Sequence, residues 1–198
     1  MARQTSSQTV GPYFAYGLTP ELYRYPYRSA VTDQLLQSGT EGQRIRIEGR
    51  VLDGDGEPVP DAMIELWQAN AHGRYNHPAD DRTDNLLDPD FRGFARTGTG
   101  VDPECRFLFT TIKPGAIGDG QAPHLNLIVF MRGLLTHLYT RFYFSDEEAA
   151  NAADPVLARV PAERRHTLIA ERDEGPGGVV YRLDIHMQGP HETVFFDV

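Results

Sequence analysis

The stretch Gln43-Arg44-Ile45-Arg46-Ile47-Glu48-Gly49-Arg50-Val51-Leu52-Asp53-Gly54-Asp55-Gly56 decides the fold class. Ile45, Ile47 and Val51 alternate with Arg46, Glu48 and Arg50, the period-two pattern of a strand with one buried face. Asp53-Gly54-Asp55-Gly56 then ends it with a strong turn signal. Ala62-Met63-Ile64-Glu65-Leu66-Trp67-Gln68 reads as a second strand, and the pair predicts a hairpin or meander. Further strands are expected at about 107–111, 124–131, 136–144, 179–188 and 193–196, the last two closing as a final hairpin.

Other segments fill in around these strands. Ser145-Asp146-Glu147-Glu148 has the spacing of a capping box and predicts a helix, and 162–171 look helical as well. Residues 69–90 are rich in Gly, Asn, Asp and Pro and form a long loop, a common place for function. Residues 1–43 are loop-like and carry Tyr13, Phe14, Tyr16, Tyr23, Tyr25 and Tyr27. Each ring brings apolar area and a hydroxyl in need of a partner, so this arm is expected to pack on the core or on a partner. The expectation is a mainly β protein. It is a β-sandwich of mixed or antiparallel strands with long loops, short helices late in the chain, an arm at 1–43 and a single domain at 44–198.

Composition excludes several function classes. Gly and Pro make up 33 of 198 residues, which favours turns and β structure over a helical bundle. The formal charge of −9 disfavours nucleic-acid binding, which rests on cationic surface. Lys113 is the only lysine, so the remaining basic residues are Arg, with its planar fork for carboxylates. Cys105 is the only cysteine, which rules out an internal disulfide and a cysteine-based metal site; it reads as an incidental or packed thiol. The longest apolar run, Leu127-Ile128-Val129-Phe130-Met131, is far short of a membrane span, and residues 1–5 hold no apolar signal core. A cytoplasmic protein is expected.

Two places carry candidate chemistry. His124-Leu125-Asn126 lies on a predicted strand, where residues two apart share a face. Two imidazoles there would hold a metal, but Asn126 offers a neutral amide oxygen, a poor transition-metal ligand. Taken alone, His124 reads as a hydrogen-bonded core or interface histidine. Tyr75, in His72-Gly73-Arg74-Tyr75-Asn76-His77, is either a packed loop tyrosine or a phenolate suited to ferric iron. His137 and His166 are assigned to packing and surface.

The motifs, taken in order, resemble the intradiol ring-cleavage dioxygenases. They are Gln8-Thr9-Val10-Gly11-Pro12-Tyr13-Phe14, Gly49-Arg50-Val51 with Pro58-Val59-Pro60-Asp61-Ala62, and Ile64-Glu65-Leu66-Trp67-Gln68-Ala69. Gly73-Arg74-Tyr75-x-His77, Asp88-Pro89-Asp90-Phe91-Arg92-Gly93-Phe94 and Thr111-Ile112-Lys113-Pro114-Gly115 follow. The resemblance implies a β-sandwich and a non-haem Fe(III) held by two Tyr and two His. The matching positions here are Tyr75, Ile117, His124 and Asn126, so two of the four ligands are missing. The ending, Ile185-His186-Met187-Gln188-Gly189 with Glu192-Thr193-Val194-Phe195-Phe196-Asp197, resembles the family's alpha-type subunits.

The resemblance therefore implies a metal-free alpha subunit that is inactive alone and joins an iron-binding beta homologue in an alpha–beta hetero-oligomer. The complex would cleave 3,4-dihydroxybenzoate with O2 to 3-carboxy-cis,cis-muconate. Gly11, Pro12 and Arg132 would form this chain's share of the pocket wall. Gly and Pro let backbone approach a planar ring, and Arg132 adds positive potential near a benzoate. For Arg132 an ion pair with the partner subunit is the rival reading. The alternative for the whole chain is a non-enzymatic β-sandwich binding or scaffold subunit.

Overall fold

The computed structural model describes Thr9, Gly11 and residues 13–198. Its strands are β1 (Arg44–Leu52), β2 (Met63–Trp67), β3 (Phe94–Gly98), β4 (Arg106–Ile112), β5 (His124–Phe130), β6 (Leu138–Phe144), β7 (Ile169–Gly175), β8 (Gly178–Arg182) and β9 (Ile185–His186). They follow the order β3-β2-β5-β6-β7-β8-β1-β4, with β9 beside β1. β7 is the joint: it meets β6 in parallel at Tyr143 and Phe144 only, then runs antiparallel to β8. Two layers result, and their inner faces make the core. Ile45, Ile47, Val51, Phe107 and Phe109 pack in one cluster with Ile64, Leu66, Leu125, Leu127, Val129 and Phe142. The Phe107 and Phe142 rings stand 6.3 Å apart across the layers. Each fully buried ring of this kind stabilises the fold by about 1.5–3 kcal/mol. The β-sandwich expectation holds.

β1 and β2 do not form the expected hairpin. The Asp53–Gly56 turn is present, with Gly56 N–H donating to Asp53 O at 3.1 Å, and Val59 N–H returns to Val51 O at 2.8 Å. Pro58 and Pro60 have no N–H to extend that ladder, and the chain crosses to the other layer instead. β2 then pairs with β3 and β5, not with β1.

The expected capping box is also absent. The helix α2 (Glu148–Ala153; α1 is Phe14–Leu18) starts after Glu147 with no side-chain cap. Ser145 Oγ accepts the Arg172 N–H at 2.9 Å instead. Asp146 accepts from the Lys113 ammonium at 2.9 Å and from the Tyr181 hydroxyl at 2.9 Å. Tertiary partners win over the local cap. Residues 162–171 divide into a 3-10 helix, Ala162–Leu168, and the start of β7, because Ile169 and Ala170 pair with β6. The terminal hairpin does not form among the described residues: β9 runs parallel to β1, and Phe196 makes one bridge to Tyr139. β3 and β7 had no expectation as strands.

The arm carries α1 and a 3-10 turn, Pro20–Tyr23. It stays on the sandwich through bridges Gln34–Thr110 and Leu36–Phe91 and through the buried Leu35. Its tyrosines pack on one another, Tyr16 and Tyr23 edge to face at 4.5 Å. No helix among the described residues is long and apolar enough to cross a membrane.

Gly49, opposite Phe107 on β1, is a point of closest packing. A Cβ there would lie 2.1 Å from the Leu183 carbonyl oxygen and 2.6 Å from the Phe107 ring. Gly49→Ala is expected to destabilise the chain by about 1–3 kcal/mol, read as a lower urea midpoint at constant slope.

Candidate functional site

The site is built on two loops that interlock. Asn70, just past β2, accepts the His72 and Arg74 N–H groups on Oδ1 at 2.9 and 3.0 Å. Its carbonyl accepts Gly73 N–H at 3.0 Å and Gly115 N–H at 2.9 Å. Gly73 has φ of +76°, and a Cβ there would fall 1.9 Å from the Ala116 carbonyl oxygen. A Cβ on Gly115 would fall 2.4 Å from the Ala71 carbonyl oxygen. Below this contact Gln68 is buried, donating to Ile112 O at 3.0 Å and accepting from the Thr111 hydroxyl at 2.7 Å. The Gly73-Arg74-Tyr75 and Lys113-Pro114-Gly115 motifs are thus two halves of one lock that places Tyr75 and Ile117.

Tyr75 stacks on Trp67 with ring centroids 5.3 Å apart and planes 15° from parallel. Its hydroxyl oxygen accepts Asn126 Nδ2–H at 2.9 Å, and the same amide reaches Trp67 O at 3.2 Å. The sheet register sets this up: Asn126 sits between Trp67 on β2 and Arg141 on β6. Burial pushes the Tyr75 phenol above its ordinary range, against the Asn126 hydrogen bond and the positive charge of Arg141 and Arg82. It stays a neutral phenol near pH 7.

His124 shares the outer face of β5 with Asn126, as the alternation predicts, and is buried with 1% of its surface exposed. Nδ1 donates to the Ala122 carbonyl at 2.8 Å, so Nε2 carries the lone pair, buried with no partner among the described residues. Burial, with Arg141 nearby, lowers its pKa to about 4.

Ile117 takes part through its backbone. Its carbonyl accepts from Arg82, whose Nε–H also donates to Asp80 Oδ1 at 2.8 Å. Asp80 Oδ2 accepts Tyr75 N–H at 2.8 Å. The path Tyr75, Asp80, Arg82, Ile117 therefore ties the two loops together, and its first three residues line a cavity of about 320 Å³ with Trp67 and His77. The Arg82 hydrogen bond holds the Asp80 carboxyl well below the usual carboxylate range. Neither residue was singled out from sequence, since nothing in His77–Asp84 says which of several acids would pair with the arginine.

The donor atoms do not fit Fe(III). Ile117 has none in its side chain, the Asn126 amide nitrogen is spent on Tyr75 and Trp67 and its neutral oxygen is a poor ligand for a transition metal, and one imidazole nitrogen and one phenol are left. No group of three or more His, Cys, Asp or Glu is placed to hold a metal among the described residues.

Gly11 and Arg132 belong to a different corner; Pro12 lies outside the described residues. Gly11 has φ of +75° with nothing within 4 Å of an added Cβ, so conformation rather than crowding requires glycine. Gly133 N–H donates to Thr9 Oγ at 2.9 Å, which brings the segment before Gly11 beside Arg132. Arg132 pairs within its own chain, its Nε 2.8 Å from Asp61 Oδ2, a partner not foreseen from sequence. Roughly 13 Å of strand separates Asn126 from Phe130, and Arg132 lies beyond that. The structure gathers Gly11 and Arg132 at one end of β5 and Tyr75, Ile117, His124 and Asn126 at the other.

A family model described as Dioxygenase matches residues 18–189. The protocatechuate 3,4-dioxygenase alpha chain of Burkholderia cepacia is 54% identical over 197 residues, 99% of this chain and 98% of that one. The chain belongs to the intradiol ring-cleavage dioxygenases. The protocatechuate 3,4-dioxygenase beta chain of Burkholderia cepacia is 38% identical over 162 residues, 77% of this chain and 67% of that one. Among solved structures, 3-chlorocatechol 1,2-dioxygenase from Rhodococcus opacus has a TM-score of 0.57 at 21% identity, covering 82% of this chain and 69% of that one. That likeness speaks for the intradiol dioxygenase fold. The intradiol dioxygenases are iron-dependent enzymes, and the described residues of this member do not supply the donor set to match.

His124 gives a pH test. In the unfolded chain its imidazole takes a proton near the ordinary value of 6.5, whereas the folded chain refuses it until about 4. The unfolded state binds more protons between those values, so stability is greatest above the window and falls with pH through it. The slope is at most about 1.4 kcal/mol per pH unit. His124→Gln should flatten this part of the profile, checked by urea denaturation at about pH 7 and about pH 5.

Proposed function

We propose that this chain is the alpha-type subunit of a protocatechuate 3,4-dioxygenase. In this reading it holds no iron. A homologous beta-type subunit binds Fe(III), and this chain completes the beta subunit's substrate pocket. The complex opens 3,4-dihydroxybenzoate between its two hydroxylated carbons. Both atoms of O2 enter the product, 3-carboxy-cis,cis-muconate. The observation that carries the reading is the pairing of near-full-length likeness to an alpha chain with a ligand set reduced to Tyr75 and His124. The likeness to a beta chain supports a homologous partner. We place the complex in the cytoplasm, in keeping with a single, unpaired cysteine.

This chain's part in the reaction is to bind and orient. Arg132 is exposed at the Gly11 corner and sets a positive charge before an anionic substrate on a chain whose net charge is −9. Gly11 and Pro12 allow backbone to lie against the aromatic ring. The arm, residues 1–43, carries that turn and works as a wall of the pocket on the domain formed by 44–198. Holding the carboxylate fixes which ring edge meets the partner's metal, a positioning effect.

Two measurements test this. Purified without its partner, the chain should contain well under one iron per chain and show no turnover. Stoichiometric iron with tyrosinate absorption overturns the reading. In the assembled complex, Arg132→Ala should raise KM for protocatechuate by about 10-fold or more, the worth of one charge-assisted hydrogen bond. KM for catechol, which has no carboxylate, should hold, and equal shifts for both substrates remove the role of Arg132.

A further inference from the structure

We infer that Asp61 is a positioning residue that fixes the Arg132 guanidinium with its outer edge open toward substrate. The inference rests on the pocket-wall reading of Arg132. A guanidinium presents five N–H donors in one rigid plane, so fixing one edge determines where the others point. Asp61 takes the inner edge. Arg132 Nε lies 3.0 Å from Asp61 Oδ1 and 2.8 Å from Oδ2. Among the described residues the two terminal nitrogens of Arg132 have no acceptor, and its side chain is 56% exposed against 8% for Asp61. A fork held by its Nε side and open at its terminal side is the arrangement that receives a carboxylate from solvent.

The grip is itself held still. Asp61 lies in the crossover before β2, between the buried Val59 and Ala62. The Thr99 hydroxyl donates to Val59 O at 2.6 Å and accepts Ala62 N–H at 3.1 Å, closing the turn from behind. The arm's Tyr23 packs on the same turn, its hydroxyl 2.9 Å from where a Cβ of Gly100 would stand and Pro60 O 2.6 Å from that point. Across from it, Thr9 receives Gly133 N–H, so the residue after Arg132 is pinned as well. Such a pair adds little net stability, because desolvating the acid offsets the attraction. Its effect is to remove rotamer freedom from Arg132 before substrate arrives, about 0.5–1.5 kcal/mol that binding need not supply.

The test uses the assembled alpha–beta complex with protocatechuate and catechol. Asp61→Ala should raise KM for protocatechuate about 3- to 10-fold, leave kcat within about two-fold and leave KM for catechol unchanged. Asp61→Asn keeps an oxygen for Nε and should return KM to within about two-fold of the parent. A second variant avoids the buried site. Arg132→Lys keeps the charge but has no second edge, so its KM for protocatechuate should rise as far as that of Arg132→Ala. Parental KM in Arg132→Lys, or equal shifts of both substrates in Asp61→Ala, overturns the inference. If Arg132→Ala is selective and Asp61→Ala is silent, positioning by Asp61 fails alone. If Arg132→Ala is itself silent, the pocket-wall reading falls and takes this one with it.

Discussion

The close approach of two backbones, at Gly73 against Ala116 and Gly115 against Ala71, is the constraint on which the Tyr75 end of the molecule depends. No side chain larger than hydrogen fits at either position, and the carbonyl of Asn70 satisfies both amides at once. Once that contact is made, the loop after β2 and the turn after β4 have a fixed relation. Tyr75 then falls on Trp67 and under Asn126, and Ile117 presents its carbonyl to Arg82. The sandwich supplies the platform, since the row Trp67, Asn126, Arg141 is set by the register of three adjacent strands.

The two ends of β5 answer to different demands. At the His124 end two buried groups are kept uncharged, a phenol held protonated and an imidazole held neutral. At the Arg132 end a charge is kept, exposed, and backed by a buried carboxylate. One strand thus connects an end whose ring groups are held uncharged to an end proposed to serve a neighbour's site.

What the sequence disclosed followed from local periodicity. β1, β4, β5 and β6 were legible because Ile45, Phe107, Leu125 and their neighbours alternate in and out of the core. β1 and β2 were wrongly joined because a turn signal says that the chain reverses, not which strand it meets next; the prolines at 58 and 60 were the missed hint. The capping box failed because Ser145, Asp146 and Arg172 meet only in three dimensions. β7 was hidden in a charged, helix-like composition, since it is a mostly exposed strand recruited by pairing with β6 and β8. At the site, resemblance points to Tyr75, Ile117, His124, Asn126 and Arg132, and strand alternation puts His124 and Asn126 on one face. Asp61, Asp80 and Arg82 were not legible in the sequence, because each matters through a partner remote in sequence or one of several equivalent acids.

The Asp80–Arg82 bridge bears on what closes the two loops. A loop pair closed around an ion is finished only after the ion is delivered, and its integrity follows the supply and oxidation state of that ion. Here the corresponding loops are closed by protons shared between Tyr75, Asp80, Arg82 and Ile117, all of them encoded in the chain. The contacts that close these loops are side-chain and backbone groups of the chain itself, so their closure in this structure draws on no bound ion.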